Sequence, residues 1–253
     1  MEGQRRTIAL VVEYDGHFSH GMQRQSELPT VAGELESALA VLLGEPVRVV
    51  NAGRTDAGVH ATGQVVSFVT TAGMELRRMP VALSAMLRHA HVAVVRAVER
   101  PPDFSARRSA LARTYRYRVL NRPAPSPLHQ HRVFHIGAHL DLDAIKAAAL
   151  HLVGEHDFAA FCATPPIRGG TRRNVTSLAI ECEGELIDLW ITADSFLHHM
   201  VRIIVGTLVQ VGRGRREPTD LLRLLAPASR ADAGFTAPAH GLYLERVHYA
   251  DPL

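Results

Sequence analysis

One order of strand-like and helix-like segments, met twice along the chain, limits the fold more than any other feature. T-I-A-L-V-V-E-Y (7–14) is apolar and β-branched, which predicts a strand. From 30 to 44, Leu35, Leu39, Leu42 and Leu43 recur at helical spacing, with Thr30 as N-cap and Gly44 and Pro46 as the stop. Strands are predicted at 47–50, 64–70 and 92–99, and a second helix at 80–90, so the first half reads βαββαβ. The second half repeats the order. A strand at 113–120 is continued by 132–136, and a helix at 142–153 stops at Gly154. Strands at 177–183 and 185–193 form a hairpin on Gly184, followed by helices at 196–211 and 218–225 and a closing strand at 241–249. Two such halves predict an α+β fold of two split-βαβ (ferredoxin-like) units, their antiparallel sheets side by side and a cleft between them. P-P-D-F-S-A (101–106) breaks the pattern, which places the domains at 1–105 and 106–253. Proline- and glycine-rich stretches at 121–130 and 163–174 are predicted to be exposed loops, the second a mobile one.

Composition then removes several classes of function. The N-terminus enters a strand pattern at once, without the apolar run of a signal peptide. The most apolar stretch, 196–211, carries two histidines and an arginine and is too short to cross a bilayer. A cytoplasmic location with no membrane partner is expected. Cys162 and Cys182 have neither disulfide-framework nor zinc-knuckle spacing. Net charge is +3, and of 28 basic residues only Lys146 is not arginine. Arginine suits bidentate phosphate contacts and stacking on bases. A chain this rich in alanine, with three asparagines, also fits a plain bias of base composition.

N-A-G-R-T-D-A-G-V-H (51–60) connects two predicted strands. Gly53 and Gly58 permit positive φ or close backbone approach, and Asp56 lies between them two residues after Arg54. A nearby arginine favours an ionised carboxylate, as a nucleophile requires. Thr55 and Asp56 in a simple Asx or ST turn are the plain alternative. In T-Y-R-Y-R-V, alternation sends Tyr115 and Tyr117 to one strand face and Arg116 and Arg118 to the other. Arg202 interrupts the apolar M-V-R-I-I-V-G, where it either meets a counter-charge or snorkels to solvent. His129, His131, His135 and His139 match no zinc signature, and no metal is expected. V-G-R-G-R (211–215) lacks the following helix that a phosphate loop needs.

A-G-R-T-D-A-G-V-H-A (52–61) closely resembles the signature of the tRNA pseudouridine synthase A family. E-Y-D-G (13–16), G-M-Q-R-Q (21–25), F-S-A-R (104–107), R-T-Y-R-Y-R (113–118), F-L-H-H-M-V-R-I-I-V-G (196–206) and A-H-G-L-Y-L (239–244) resemble its further blocks, in order. The resemblance implies that Asp56 is the nucleophile and that the cleft is catalytic, with no cofactor. It implies isomerisation of uridine to pseudouridine at tRNA positions 38 to 40, in the anticodon stem-loop, by a homodimer. By the same pattern Tyr115 stacks on the flipped base and Arg54 takes the space it vacates. Arg202 faces Asp56, and Leu242 forms an apolar wall. A stacked uridine must be flipped out to be reached. Arg24, Arg107, Arg116 and Arg118 are candidates to hold the RNA meanwhile, through its phosphates.

The chain departs from the family pattern at Met22, Ala32, Ser84 and Ser105, which bears on RNA docking more than on the reaction. Alternative readings are a synthase for another RNA target, a catalytically inactive RNA-binding module of the same fold, and a metal-dependent hydrolase built on the histidines.

Overall fold

The computed structural model describes residues 4–167 and 169–253, so Arg168, in the loop expected at 163–174, lies outside the described residues. The chain divides into two compact units, Met1–Arg113 with Tyr243–Leu253, and Thr114–Leu242.

The first unit contains β1 (Arg6–Tyr14), α1 (Val31–Leu43), β2 (Val50–Asn51), β3 (His60–Thr70), α2 (Met79–Met86) and β4 (Val92–Arg100), the expected βαββαβ order. Its last strand is β10 (Leu242–His248), and the sheet runs β4-β1-β3-β10 with β2 also on β3. β1 is antiparallel to both β3 and β4, whereas β10 runs parallel to β3, with Tyr243 opposite His60 and Leu244 opposite Ala61. The inner strand β1 buries Ile8, Leu10, Val12 and Tyr14, while the edge strand β4 carries Arg96, Glu99 and Arg100. Charge on an edge discourages pairing with other chains. Helix α1 is capped as its sequence suggests. Thr30 Oγ1 accepts from Gly33 N at 3.3 Å, and Gly44 closes the helix at φ +72°. Leu35 and Leu39 are fully buried, each contributing about 2 kcal/mol by area removed from water.

Two strands differ from expectation for identifiable reasons. The strand expected at 47–50 is reduced to Val50–Asn51, because the Val49 N–H is taken by Glu36 Oε1 at 3.1 Å. β3 begins four residues early, at His60 instead of 64, because His60 and Ala61 have β10 to pair with.

The second unit contains β5 (Ala112–Asn121, which begins in the first), β6 (Phe134–Ile136), α3 (Leu142–Leu150), β7 (Gly154–Asp157), β8 (Arg172–Glu183), β9 (Leu186–Ala193), α4 (Met200–Gly212) and α5 (Asp220–Leu224). Its sheet order is β5-β9-β8-β7, with β6 parallel to β5. Gly154, expected only as a helix stop, instead opens β7, which pairs antiparallel with β8 and extends that strand back to Arg172. The β8–β9 hairpin turns on two residues, Gly184 and Glu185, with Gly184 at φ +59°. The helix expected from 196 starts at Met200, because His199 adopts the left-handed conformation at φ +60°. Helix α3 packs on α4, whose Ile203, Ile204 and Val205 are fully buried.

The domain limits also differ from 1–105 and 106–253. The expected closing strand of the second half pairs with β3, so residues 243–253 belong with the first unit.

Candidate active site

The loop between β2 and β3 is held from both sides. Ala52 N donates to Val65 O at 2.8 Å, and Asn51 Nδ2 donates to Gly53 O at 2.8 Å. The Gln64 side chain grips the same glycine: its Oε1 accepts from Gly53 N at 3.4 Å and its Nε2 donates to Gly53 O at 2.8 Å. Two residues on, Thr55 Oγ1 pairs with the Tyr14 hydroxyl at 2.7 Å, and Thr55 O accepts from Met22 N at 3.0 Å. Arg113 Nη2 donates to the Ala52 carbonyl at 2.9 Å. Gly53 and Thr55 are thereby anchored, while Arg54 between them is exposed and Asp56 beyond them is half-buried.

Asp56 starts a tight turn. Val59 N donates to Asp56 O at 3.1 Å, and Gly58 takes φ +82°, which a side chain would resist. The segment after β1 closes over this turn. Gly58 N donates to Gly16 O at 3.1 Å, and a Cβ added at Gly16 would lie 2.0 Å from the Val59 carbonyl oxygen. Gly21 is confined too, its added Cβ falling 2.7 Å from Thr55 O. The E-Y-D-G and G-M-Q-R-Q blocks are therefore the outer wall of the Asp56 loop. Behind it, His60 is buried and stacks on Tyr243, ring centres 4.6 Å apart.

In the second unit, Tyr115 and Tyr117 lie on the buried face of β5, with half-buried Arg116 and Arg118 on the other, as alternation predicts. Tyr115 meets Phe196 edge-on at 4.9 Å and keeps 8 % of its surface exposed. Tyr117 is fully buried and its hydroxyl donates to Pro238 O at 2.8 Å; burial pushes its pKa well up, opposed by the charge of Arg202. Arg202, in the first turn of α4, is half-buried, and its Nε donates to Ala237 O at 2.8 Å. Ala237 N returns a bond to Arg202 O at 3.0 Å, tying the segment before β10 to the helix. Leu242 is buried.

The candidate RNA-contact arginines fall into two groups. Arg107 is exposed. Arg118 is engaged by a bidentate pair with Asp188, both N···O distances 2.8 Å, and Arg116 lies 3.6 Å from the same carboxylate and over Trp190. Arg24 shares the buried Glu36 carboxylate with Arg48, at 3.0 and 2.7 Å. Of the positions that depart from the family pattern, Met22 and Ala32 are core and Ser84 Oγ accepts from Val94 N at 2.9 Å. His135, one of the four histidines at 129–139, has its Nε2 at 2.8 Å from the Arg122 carbonyl. Sequence reasoning missed Tyr14 and Gln64. A glutamine in a strand otherwise made of apolar and small residues was the available signal.

The sequence pattern described as tRNA pseudouridine synthase matches residues 10–107 and 148–250. The chain belongs to the tRNA pseudouridine synthase family. Proteins named tRNA pseudouridine synthase A are similar to this family member along almost their whole length. The one from Moorella thermoacetica is 45% identical over 245 residues, 96% of this chain and 99% of its own. That from Acetivibrio thermocellus is 39% identical over 244 residues, covering 96% of this chain and all of its own. That from Buchnera aphidicola is 42% identical over 244 residues, 96% and 91% of the two chains. The two spans matching the family pattern contain Arg54, Asp56, Arg202 and Leu242, while Tyr115 falls between them. Among the described residues, no helix is long and apolar enough to cross a membrane.

Proposed function

We propose that this family member isomerises uridine to pseudouridine in the anticodon stem-loop of tRNA, at positions 38 to 40, with Asp56 as nucleophile. The observation that carries the assignment is the loop geometry: a half-buried carboxylate at the start of a tight turn, beside an exposed arginine, with the residues on either side of that arginine locked. A nucleophile needs that kind of pre-set placement, since a small displacement at the reacting atoms costs a large factor in rate. In the net reaction the C1′–N1 bond breaks, a C1′–C5 bond forms, and the proton lost from C5 is balanced by one gained at N1. Attack at C1′, addition at C6 and removal of the C2′ proton each use one carboxylate and pass through different intermediates to the same product.

The target uridine is flipped out of its stack, which costs a few kcal/mol. The exposed Arg54 occupies the space it leaves. Tyr115, buried but for one edge, supplies the stacking surface for the base, Leu242 an apolar wall, and Arg202 the cation for the carboxylate. The RNA backbone is held by surface arginines, Arg107 foremost because it is exposed where Arg118 is committed to Asp188. The protein works as a homodimer in the cytoplasm.

The test is to map pseudouridine in tRNA treated with the parent enzyme and with Asp56→Asn. Product at positions 38 to 40 with the parent, and none with the folded variant, is the expected result. Uridine persisting at those positions with the parent overturns the substrate. Undiminished product from the variant overturns the nucleophile.

A further inference from the structure

We infer that Gln64 and Tyr14 are positioning residues that set the Asp56 carboxylate for reaction through a buried polar relay. The inference rests on Asp56 being the nucleophile. Gln64 is fully buried in β3, and a buried amide is costly unless each of its polar atoms is paired. Here Oε1 accepts from Gly53 N and from Val65 N at 3.4 and 3.2 Å, and Nε2 donates to Gly53 O and the Tyr14 hydroxyl at 2.8 and 3.4 Å. The amide thus takes the place of a neighbouring strand for Gly53, whose N–H and carbonyl it holds together. The Tyr14 hydroxyl carries the linkage to Thr55 Oγ1 at 2.7 Å, one residue before Asp56. Tyr14 and Thr55 are both buried, and burial pushes the Tyr14 hydroxyl up to about 12, so it remains protonated wherever the enzyme works.

The relay fixes residues 53 and 55 and leaves 54 and 56 as the ones that project. An apolar residue at 64 or 14 would fill the same space equally well for packing. What it would lose is the fixed pitch of the loop. None of these three side chains is asked to touch the RNA, so their removal should act on the chemical step and leave tRNA affinity alone.

Single-turnover and steady-state kinetics of Gln64→Leu, Tyr14→Phe, Thr55→Val and Thr55→Ser, measured where each is folded, test the relay. Gln64→Leu is expected to lower kcat on the order of 10²-fold with KM for tRNA within about twofold. Tyr14→Phe and Thr55→Val, which each delete one polar group and preserve shape, are expected to lower kcat roughly tenfold. Thr55→Ser restores the hydroxyl and most of the rate. The double variant Tyr14→Phe/Thr55→Val is expected to lose no more than the worse single one, since both break the same bond. Parental kcat in Tyr14→Phe and Thr55→Val overturns the inference even if Gln64→Leu fails to fold. So does a rise in KM without a fall in kcat. Asp56→Asn, assayed alongside, separates the two readings: if it is dead while the relay variants keep full rate, the nucleophile stands and the relay falls.

Discussion

The Asp56 loop and helix α4 place the side chains proposed to act in the reaction by opposite means. The loop carries few large apolar groups and is held by hydrogen bonds from Gln64, Tyr14, Asn51 and Arg113, each to a particular backbone or hydroxyl atom. Helix α4 is a rod of fully buried aliphatic residues, with Arg202 carried on its first turn. Hydrogen bonds are directional and individually worth little net free energy, whereas burial is non-directional and worth more. A loop built the first way is defined in angle without contributing much to stability, and a helix built the second way contributes stability with less control over angle. Damage to the two regions should therefore show up in different measurements.

The sharpest form of that contrast is Asp56→Asn against Ile204→Ala. The first should abolish pseudouridine formation while the thermal unfolding midpoint hardly moves. The second removes a fully buried side chain from α4 and should cost about 2–5 kcal/mol in denaturant unfolding, with kcat of the folded fraction near parental. If Ile204→Ala instead lowered kcat at unchanged stability, the division between the two regions would fail.

Alkaline pH gives a graded test, because each unit buries tyrosines. Tyr14, Tyr117 and Tyr249 all have pKa values raised by burial, Tyr14 from 10.0 to about 12. Above pH 10 the unfolded chain loses these protons while the folded chain retains them. Stability is therefore full below pH 10 and falls as pH rises beyond it, by about 1.4 kcal/mol per pH unit for each such tyrosine. Urea unfolding across pH 9 to 11.5 should show this slope, and Tyr14→Phe should reduce it by one proton's worth up to about pH 12.

The smallest effect concerns the arginines proposed to meet RNA. Arg107→Ala should weaken tRNA binding and flatten its salt dependence by about one charge. Arg118→Ala should act mainly on stability, because that guanidinium is already paired with Asp188. Filter binding at several salt concentrations distinguishes them, and equal salt slopes would show that the Asp188 pair opens for RNA.

Local pattern carried most of the first unit. The leucine spacing and caps of α1, the run of β1 and the glycine-flanked loop were all readable from neighbours in sequence. What escaped depended on partners far along the chain. β3 starts at His60 with Tyr243 and Leu244 beside it and Tyr14 of β1 opposite Ala61, and β8 starts at Arg172 because Gly154–Asp157 pairs with it. The shortened β2 has a different cause, Glu36 competing for a strand N–H. Of the proposed site residues, Asp56, Arg54, Tyr115 and Arg202 came from motif blocks, and Leu242 with them. Tyr14 lies in the E-Y-D-G block but no role was read for it, and Gln64 lies in none of the quoted blocks, because a buried amide and a buried phenol look like ordinary strand residues until their partners are visible.

Thr62 and Glu245, joined by a hydrogen bond from the threonine hydroxyl at 2.6 Å, are 183 residues apart. The strand that flanks the start of β3 is the last of the described elements to leave the ribosome. A nascent chain can form β1, α1, the loop and most of β3 early, but His60 gains Tyr243 only once residue 243 has been made. Closing so long a loop also slows folding. Any product cut short before residue 243 would carry every residue of the Asp56 relay yet leave the flank of β3 open.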